Sequence, residues 1–249
     1  MKSRSIVIKV GGNDLSAPGF IPALAEAVAQ RSRSQHCVVV HGGGKGVDRL
    51  LGQLDIVPRY VNGQRVTDLA SLEIVEMVLS GQINKQIVLA LLAAGVDAIG
   101  MSGIDRGLLT VEPWSADLGL VGRVVKVRDE VLADLFQQGV VPVISPISVG
   151  EDWQRYNVNA DHAAGAIAVA IHAEQAVFVT NVAGVLVGGE IAPHLTAAEI
   201  NQLIDSQVIQ GGMIPKVRAA LDAIDSGVQA VLITNLAGLT GASGTQIVA

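Results

Sequence analysis

The segment Ser5-Ile6-Val7-Ile8-Lys9-Val10-Gly11-Gly12 contains a short β-branched run that ends at two glycines. Such a run is typical of a buried strand that turns directly into the next element. Similar runs follow along the chain, so this segment sets a pattern for the whole sequence. Strands are predicted at Ser5–Val10, His36–Val40, Asp97–Met101, Val140–Ser145, Ala176–Thr180 and Gln229–Thr234.

Longer segments with helical periodicity separate these runs. Helices are predicted at Phe20–Arg31, Gly46–Leu54, Leu69–Ser80, Asn84–Ala94, Asp129–Gln138, Asp161–Ala173, Ala197–Ser206 and Pro215–Ser226. The alternation indicates an α/β protein whose mostly parallel sheet is covered on both faces. Two stretches interrupt it, Arg59–Thr67 with its Asn62-Gly63 turn and Leu108–Val127, and both are predicted to be hairpins. Hairpins over the carboxyl edge of a parallel sheet could shape a substrate pocket.

Composition limits the classes of protein that fit this sequence. The chain has 249 residues, of which 50% are hydrophobic and 16% are charged. These values exclude intrinsic disorder and allow one large domain or two closely packed lobes. The net charge is −6, and the lysines and arginines form no cluster. We therefore expect no nucleic-acid partner.

The sequence also indicates where the protein is found. The single cysteine, Cys37, lies in an apolar run and cannot form an internal disulfide, which favours a reducing compartment. The first apolar run is cut by Lys9 and is too short for a signal peptide. The longest uncharged stretch, Ser226–Ala249, is interrupted by polar residues and glycines, so we do not expect it to span a membrane. We expect a soluble, cytoplasmic protein.

Glycines are concentrated where predicted strands end and helices begin, at Gly11-Gly12, Gly42-Gly43-Gly44 and Gly211-Gly212. Each pair alone is compatible with a simple tight turn. Together, and with a lysine near each, they favour a phosphate cradle of backbone N–H groups. The spacing matches neither a P-loop nor a dinucleotide fingerprint, and the absence of a G-x-S-x-G motif removes an esterase nucleophile.

Three charged residues occupy positions that a purely structural role explains poorly. Lys9 interrupts an apolar strand, where a charge is costly unless it meets a counter-charge or a ligand. Lys216 falls in the first turn of a predicted helix, where a cation opposes the helix dipole unless both address one anion. Asp161, taken alone, fits an ordinary helix N-cap, but Asn157 and Asn159 arrive with it and suggest a polar site.

Other polar residues leave alternatives open. Arg65 fits either a surface position on a hairpin arm or a bidentate grip on a carboxylate. The five histidines show no metal-ligand spacing, and structural roles are favoured for His41 and His162.

Seven strings carry a resemblance to a known family. They are Lys9-Val10-Gly11-Gly12, Val40–Gly44 followed by Val47-Asp48, Asn62–Asp68, Gly81–Lys85, Gly119–Gly122, Asn157–Asp161 and Gly212–Val217. In order and spacing they resemble the amino acid kinase family, and within it most closely the members that phosphorylate N-acetyl-L-glutamate. The similarity extends from about residue 6 to Gly244-Thr245.

The resemblance implies an open αβα sandwich of the carbamate kinase type. It implies transfer of the γ-phosphoryl group of MgATP to the side-chain carboxylate of N-acetyl-L-glutamate, in arginine biosynthesis. An N-terminal lobe, residues 1–172, would bind the amino acid and form a homodimer, and a C-terminal lobe, residues 173–249, would bind the nucleotide. Mg²⁺ would be held mainly through the phosphates, without a dedicated protein metal site.

The resemblance also implies roles for individual residues. Lys9 would stabilise the transferring phosphoryl group and Lys216 the charge that develops on the leaving ADP. Gly12 and Gly43 would donate backbone N–H groups to phosphoryl oxygens, and Asp161 would hold the two lysines. The substrate-binding residues would be Gly43, Gly44, Arg65 for the α-carboxylate, and Asn157. The nucleotide-binding residues would be Lys9, Gly11, Gly12, Thr180, Asn181, Val182, Gly184, Val185, Leu186, Gly211, Gly212, Met213 and Lys216.

Two departures keep other functions open. Asn181 stands where the family usually has aspartate, and Ile104 where lysine is common. Both features are similar to the related kinases that phosphorylate aminoadipate or glutamate linked to an amino-group carrier protein. A non-catalytic small-molecule sensor on the same fold is a further alternative, although both lysines are present. Arginine-inhibited members have an extra N-terminal helix, and five residues precede Ile6 here, so we expect little inhibition by arginine and no hexameric ring.

Overall fold

The computed structural model describes residues 4–61, 63–241 and 243–249, with Asn13 described by its backbone only. The strands are β1 (Ser5–Val10), β2 (His36–His41), β3 (Tyr60–Val61), β4 (Gln64–Arg65), β5 (Ala98–Ser102), β6 (Leu109–Pro113), β7 (Gly122–Val127), β8 (Val141–Ser145), β9 (Ile147–Gly150), β10 (Arg155–Asn157), β11 (Gln175–Val179), β12 (Leu186–Val187), β13 (Glu190–Ile191), β14 (His194–Thr196), β15 (Val231–Thr234) and β16 (Thr245–Val248). The α-helices are α1 (Gly12–Leu15), α2 (Phe20–Ser32), α3 (Gly44–Gln53), α4 (Leu69–Glu76), α5 (Asn84–Ala93), α6 (Glu130–Gln137), α7 (Ala160–Ala170), α8 (Ala197–Asp205), α9 (Met213–Asp225) and α10 (Leu236–Gly241).

The central sheet has eight strands in the order β14-β16-β15-β11-β1-β2-β8-β5. All neighbouring pairs are parallel except β15 and β16, so the predicted open αβα sandwich is confirmed. All six predicted strands belong to this sheet. It crosses the expected lobe boundary, because β11 pairs with β1. The division into residues 1–172 and 173–249 stays a prediction.

The alternation of β1 explains how the site residue Lys9 is placed. Successive side chains of a strand point to opposite faces, and Ile6, Ile8 and Val10 enter one core while Val7 enters the other. Lys9 therefore shares the Val7 face, where helix α7 packs. The strand thus delivers its only charge to the start of α7.

Both predicted hairpins form. β3 and β4 pair with Tyr60 opposite Arg65, while Asn62 of the predicted turn lies outside the described residues. β6 and β7 pair within a second sheet of order β10-β9-β6-β7. Thr67 forms a bridge with Gly119, which brings the two hairpins together beside the end of the central sheet.

The predicted interruption between Ser80 and Asn84 is wrong. A π-helical segment, Met77–Ile83, joins α4 to α5, because buried Val78, Leu79 and Ile83 continue the apolar face. That packing offsets the cost of a helical glycine, about 1 kcal/mol. The continuous helix Leu69–Ala93 is the one described helix long and apolar enough to cross a membrane, and 44% of its most apolar window is buried in the protein. A core helix has the same properties.

Candidate active site

Two glycine turns approach each other at the carboxyl ends of β1 and β2. A Cβ atom placed on Gly12 would lie 2.3 Å from the backbone nitrogen of Gly44. A Cβ on Gly43 would lie 2.3 Å from Leu79 Cδ2 and 2.5 Å from Ile83 Cδ1. Only glycine allows this approach, which leaves backbone N–H groups at the start of α3 beside the first turn. The arrangement is a cradle suited to an anion.

Lys9 and Asp161 form an ion pair in this cleft. The Lys9 Nζ atom lies 2.7 Å from Asp161 Oδ1, and the two side chains are only 15% and 19% exposed. The alternative role of Asp161 as the helix N-cap is wrong, because Asn159 caps α7 and accepts a hydrogen bond from the Asp161 backbone N–H. The carboxylate of Asp161 is thereby free to hold Lys9.

Lys216 enters the same cleft from the first turns of α9. Its Nζ atom donates a hydrogen bond of 2.6 Å to Asn181 Oδ1. Burial lowers the pKa of Lys216, and the charge of Lys9 adds to this effect while Asp14 opposes it. Asp161 is expected to hold both lysines; among the ion pairs of the described residues it contacts Lys9 and not Lys216. Asn181 holds Lys216 instead.

Arg65 and Asn157 line the same cleft as the glycine cradle. The Arg65 side chain is 8% exposed, so it is not the surface residue that its hairpin position allowed. Its Nη1 atom is buried and lies 2.8 Å from Asp48 Oδ1, although not in hydrogen-bond geometry. Asn157 Nδ2 donates to Thr67 Oγ1 at 3.2 Å. Lys9, Gly11, Gly12, Gly43, Gly44, Arg65, Asn157, Asp161, Thr180, Gly212 and Lys216 all line one cleft of about 570 Å³.

A second, more apolar cavity of about 600 Å³ lies among the residues that follow β11. It contains the predicted residues Val182, Gly184, Val185, Leu186 and Met213. Gly184 is required there, because a Cβ would lie 2.7 Å from Ile191 and 2.8 Å from Thr245 Oγ1. Asn181 and Gly211 are not among the described residues that line these two cavities. Gly211 forms the turn before α9 with φ 55°.

Two histidines behave as structural residues. His41 is fully buried, and its ring nitrogens contact Gly42 O at 3.0 Å and Asn84 Nδ2 at 3.2 Å. Burial lowers the pKa of His41 to about 4. His162 stacks on Trp114 with ring centroids 4.7 Å apart. Within the described ranges, no three His, Cys, Asp or Glu side chains are grouped as metal ligands.

Sequence reasoning gave no site role to four polar residues that lie in or beside the cleft. Asp14, Tyr60 and Gln64 line it, and Asp48 contacts Arg65 from helix α3. Asp14 follows the first glycine pair directly, so its proximity to the cradle could have been expected. Asp48 belongs to one of the strings that carry the family resemblance, but no sequence feature indicates that Asp48 and Tyr60 contact Arg65, because they reach it only through a tertiary contact between α3 and the β3–β4 hairpin.

Two lysines, backbone N–H groups and a buried arginine thus face one cleft at the carboxyl edge of a parallel sheet. This is a suitable arrangement for phosphoryl transfer, which depends on alignment and charge stabilisation. Comparison with protein families gives one match, to the amino acid kinase family over residues 4–235. The chain belongs to the amino acid kinase family.

This amino acid kinase is similar to enzymes of one named activity. It is 53% identical over 247 residues to the acetylglutamate kinase of Roseiflexus sp. (strain RS-1), covering 98% of this chain and 93% of the relative. It is 45% identical over 235 residues to the acetylglutamate kinase of Geobacillus kaustophilus, covering 93% of this chain and 90% of that one.

Solved structures agree with the fold. A Streptococcus mutans crystal structure superposes with a TM-score of 0.83 at 29% identity and covers 98% of both chains. Carbamate kinase of Giardia superposes with a TM-score of 0.73 at 16% identity and covers 100% of this amino acid kinase and 99% of its own chain. The second likeness supports the fold alone.

Proposed function

We propose that the protein transfers the γ-phosphoryl group of ATP to the side-chain carboxylate of N-acetyl-L-glutamate. The products are N-acetyl-L-glutamyl 5-phosphate and ADP, in a step of arginine biosynthesis. The observation that carries the proposal is the convergence of Lys9, Lys216 and the Gly12 and Gly43 turns on one cleft. The identity with acetylglutamate kinases over nearly the whole chain supports the choice of substrate.

The chemistry needs no general base, because the attacking carboxylate is already ionised. Lys9, held by Asp161 at 2.7 Å, stabilises the transferring phosphoryl group. Lys216, held by Asn181, stabilises charge that develops toward the leaving ADP. Gly12 and Gly43 donate backbone N–H groups to phosphoryl oxygens. Catalysis then consists of alignment and charge stabilisation.

The amino acid lies in the cleft that the glycine cradle and Arg65 line together. The Arg65 guanidinium, which lines the cleft, binds the α-carboxylate through the N–H donors that Asp48 and Gly44 leave free. Asn157 and the Gly43-Gly44 backbone complete this pocket and direct the side-chain carboxylate toward Lys9. This geometry suits a five-carbon dicarboxylate whose two acidic groups have separate partners.

The nucleotide extends from Lys216 into the apolar cavity beside Val182, Gly184 and Met213, which suits a planar base. Mg²⁺ would be held mainly by the phosphates, as Mg²⁺ usually is, with at most one or two protein carboxylates. Asp14 and Asp161 are the carboxylates that line the cleft. When bound, the ion would neutralise part of the phosphate charge.

Two other functions are tested by the same experiment. A carrier-linked aminoadipate kinase and a non-catalytic sensor remain the alternatives, and the acetylglutamate kinases among the relatives favour neither. Hydroxylamine traps acyl phosphates, so the assay compares N-acetylglutamate, free glutamate and carrier-linked aminoadipate with ATP. We expect product with N-acetylglutamate and little with the others. Product only with the carrier-linked substrate, or ATP binding without any product, would support the respective alternative.

We further propose a homodimer, formed through the long helix and the edge strand β5. Met77, Leu89, Leu92 and Ile99 there are 62%, 70%, 51% and 44% exposed, an unusual concentration of large apolar side chains. Light scattering of the wild type should give a mass of twice the 25.7 kDa chain. The Leu89→Glu variant should give a mass closer to that of a single chain. A monomeric wild type would contradict the dimer. We also propose that the protein is cytoplasmic and that residues 1–172 and 173–249 form its two lobes.

A further inference from the structure

Arg65 is held in place by Asp48 and by Tyr60, which lines the cleft, and the proposed function gives neither residue a role. Its Nη1 atom lies 2.8 Å from Asp48 Oδ1. The guanidinium stacks on the Tyr60 ring with its carbon 4.8 Å from the ring centroid. The Tyr60 hydroxyl donates a 2.8 Å hydrogen bond to the same Oδ1 atom of Asp48. The three side chains therefore form a closed triangle around one carboxylate oxygen.

These three side chains connect helix α3 to the β3–β4 hairpin. Asp48 is in the second turn of α3, the helix that begins at the glycine cradle. Tyr60 and Arg65 are directly opposite each other in the β3–β4 hairpin. Because Asp48 contacts both, it fixes the hairpin against the helix that presents the Gly44 backbone. The other guanidinium end, Nη2, lies 3.5 Å from Gly44 O.

An arginine side chain has several rotatable bonds, and immobilising it during binding weakens affinity. In this protein the entropy of the Arg65 side chain is lost during folding and not during binding. The ion pair and the ring stacking orient the guanidinium before a ligand arrives. Arginine has five N–H donors, of which Asp48 Oδ1 lies against Nη1, without hydrogen-bond geometry, and Gly44 O accepts from Nη2. Enough donors remain for a carboxylate in the cleft.

We propose that Asp48 and Tyr60 are positioning residues that orient Arg65 toward the α-carboxylate of the substrate. This inference rests on the proposed function, since that function supplies the carboxylate. Asp48 and Tyr60 act through Arg65 and touch no reacting atom. Their loss should weaken binding of the amino acid, while the steps that involve ATP and the phosphoryl group keep their rates.

The test is a double-mutant cycle with Asp48→Asn, Tyr60→Phe, Arg65→Ala and Asp48→Asn/Arg65→Ala. We expect Asp48→Asn to raise the KM for N-acetylglutamate roughly tenfold and Tyr60→Phe to raise it less. The kcat and the KM for ATP should stay within about twofold. In the Arg65→Ala background, Asp48→Asn should have no further effect, because the residue through which it acts is gone. Asp55→Asn, an exposed aspartate just after α3, is the matched control and should match wild type.

A second readout does not depend on turnover. Nitrogen NMR of the arginine side chains should show restricted rotation of the Arg65 guanidinium in wild type and Asp55→Asn, and fast rotation in Asp48→Asn. Equal restriction in Asp48→Asn, an equal KM effect with and without Arg65, or an equal effect on ATP would overturn the inference. Failure of wild type to form any acyl phosphate with N-acetylglutamate would refute the proposed function instead, and the NMR comparison would still decide whether Asp48 orients Arg65.

Discussion

Replacement of Lys9 by methionine removes the charge that the proposed mechanism needs most and keeps most of the side-chain volume. Lys9 is 15% exposed, and its amine lies 2.7 Å from Asp161. Methionine can fill the apolar part of this space beside Phe178, over which the lysine amine lies at 5.7 Å from the ring centroid. The variant therefore separates loss of charge from loss of packing.

The size of the effect follows from the position of the charge. A unit charge about 4 Å from a transferring phosphoryl oxygen contributes about 4 kcal/mol at an effective dielectric constant near 20. The carboxylate of Asp161 offsets part of this, so a net loss of about 2 to 4 kcal/mol remains. That loss corresponds to a fall in kcat of roughly 30-fold to 1,000-fold. Asp161 left without its partner should lower stability by about 1 to 3 kcal/mol.

The assay is hydroxylamine-trapped product formation at saturating ATP and N-acetylglutamate, with thermal unfolding measured in parallel. Lys126→Met, which removes an exposed lysine of β7, is the control and should retain both activity and melting temperature. If Lys9 served only to neutralise Asp161, the variant would lose stability and keep its kcat. That result would refute the catalytic role, and so would a loss of activity explained entirely by unfolded protein.

Four further outcomes are expected. Gly12→Ala should abolish detectable activity, because its Cβ would lie 2.3 Å from Gly44 N. The control Gly52→Ala has open space around its Cβ and should be fully active. An active Gly12→Ala enzyme would show that the two turns need not touch. Asn181→Leu should raise the KM for ATP roughly threefold, because Lys216 loses the 2.6 Å hydrogen bond that holds its amine in the cleft. An unchanged KM would show that Asn181 is not needed to hold Lys216 in the nucleotide site. The free energy of unfolding should fall by about 3 kcal/mol as the pH drops from 6.5 toward 4. In this range His41 binds a proton in the unfolded state but stays neutral in the folded state, because its pKa is lowered to about 4. A similar pH dependence in His41→Gln would contradict this cause. Cys37, whose pKa burial raises to about 12, should resist thiol reagents until the protein unfolds, and rapid labelling of the native protein would show that strand β2 is accessible.

The sequence predicts six of the eight strands of the central sheet, because these six are short apolar runs; β14 and β16 at one end of the sheet are not predicted. Ser5–Val10 agrees at both ends, and the five other runs are within two residues. The sequence prediction fails at the long helix, because Gly81 lies in the gap between the predicted helices Leu69–Ser80 and Asn84–Ala94. The local cost of that glycine is smaller than the packing of Leu79 and Ile83 against the Gly43 turn, and such a long-range contact leaves no trace in local periodicity.

The site residues also differ in whether local sequence or long-range packing decides their role. Lys9 and Lys216 are recognisable because a charge on an apolar strand and a cation at a helix start both conflict with local preference. The roles of Asn159 and Asn181 are not recognisable in the same way. Which asparagine caps α7, and which residue reaches Lys216, depend on how helices and loops are packed together. Asp48 is harder still, because its partner lies on a separate hairpin.

The most direct measurement is the hydroxylamine assay of the wild-type protein with ATP and N-acetyl-L-glutamate. The convergence of Lys9, Lys216 and the glycine cradle predicts a hydroxamate formed in step with ADP, and its loss when free glutamate replaces the acetylated substrate. ADP formation without hydroxamate, or no turnover despite binding of both ligands, would contradict the assignment of this cleft as a carboxylate-phosphorylating site.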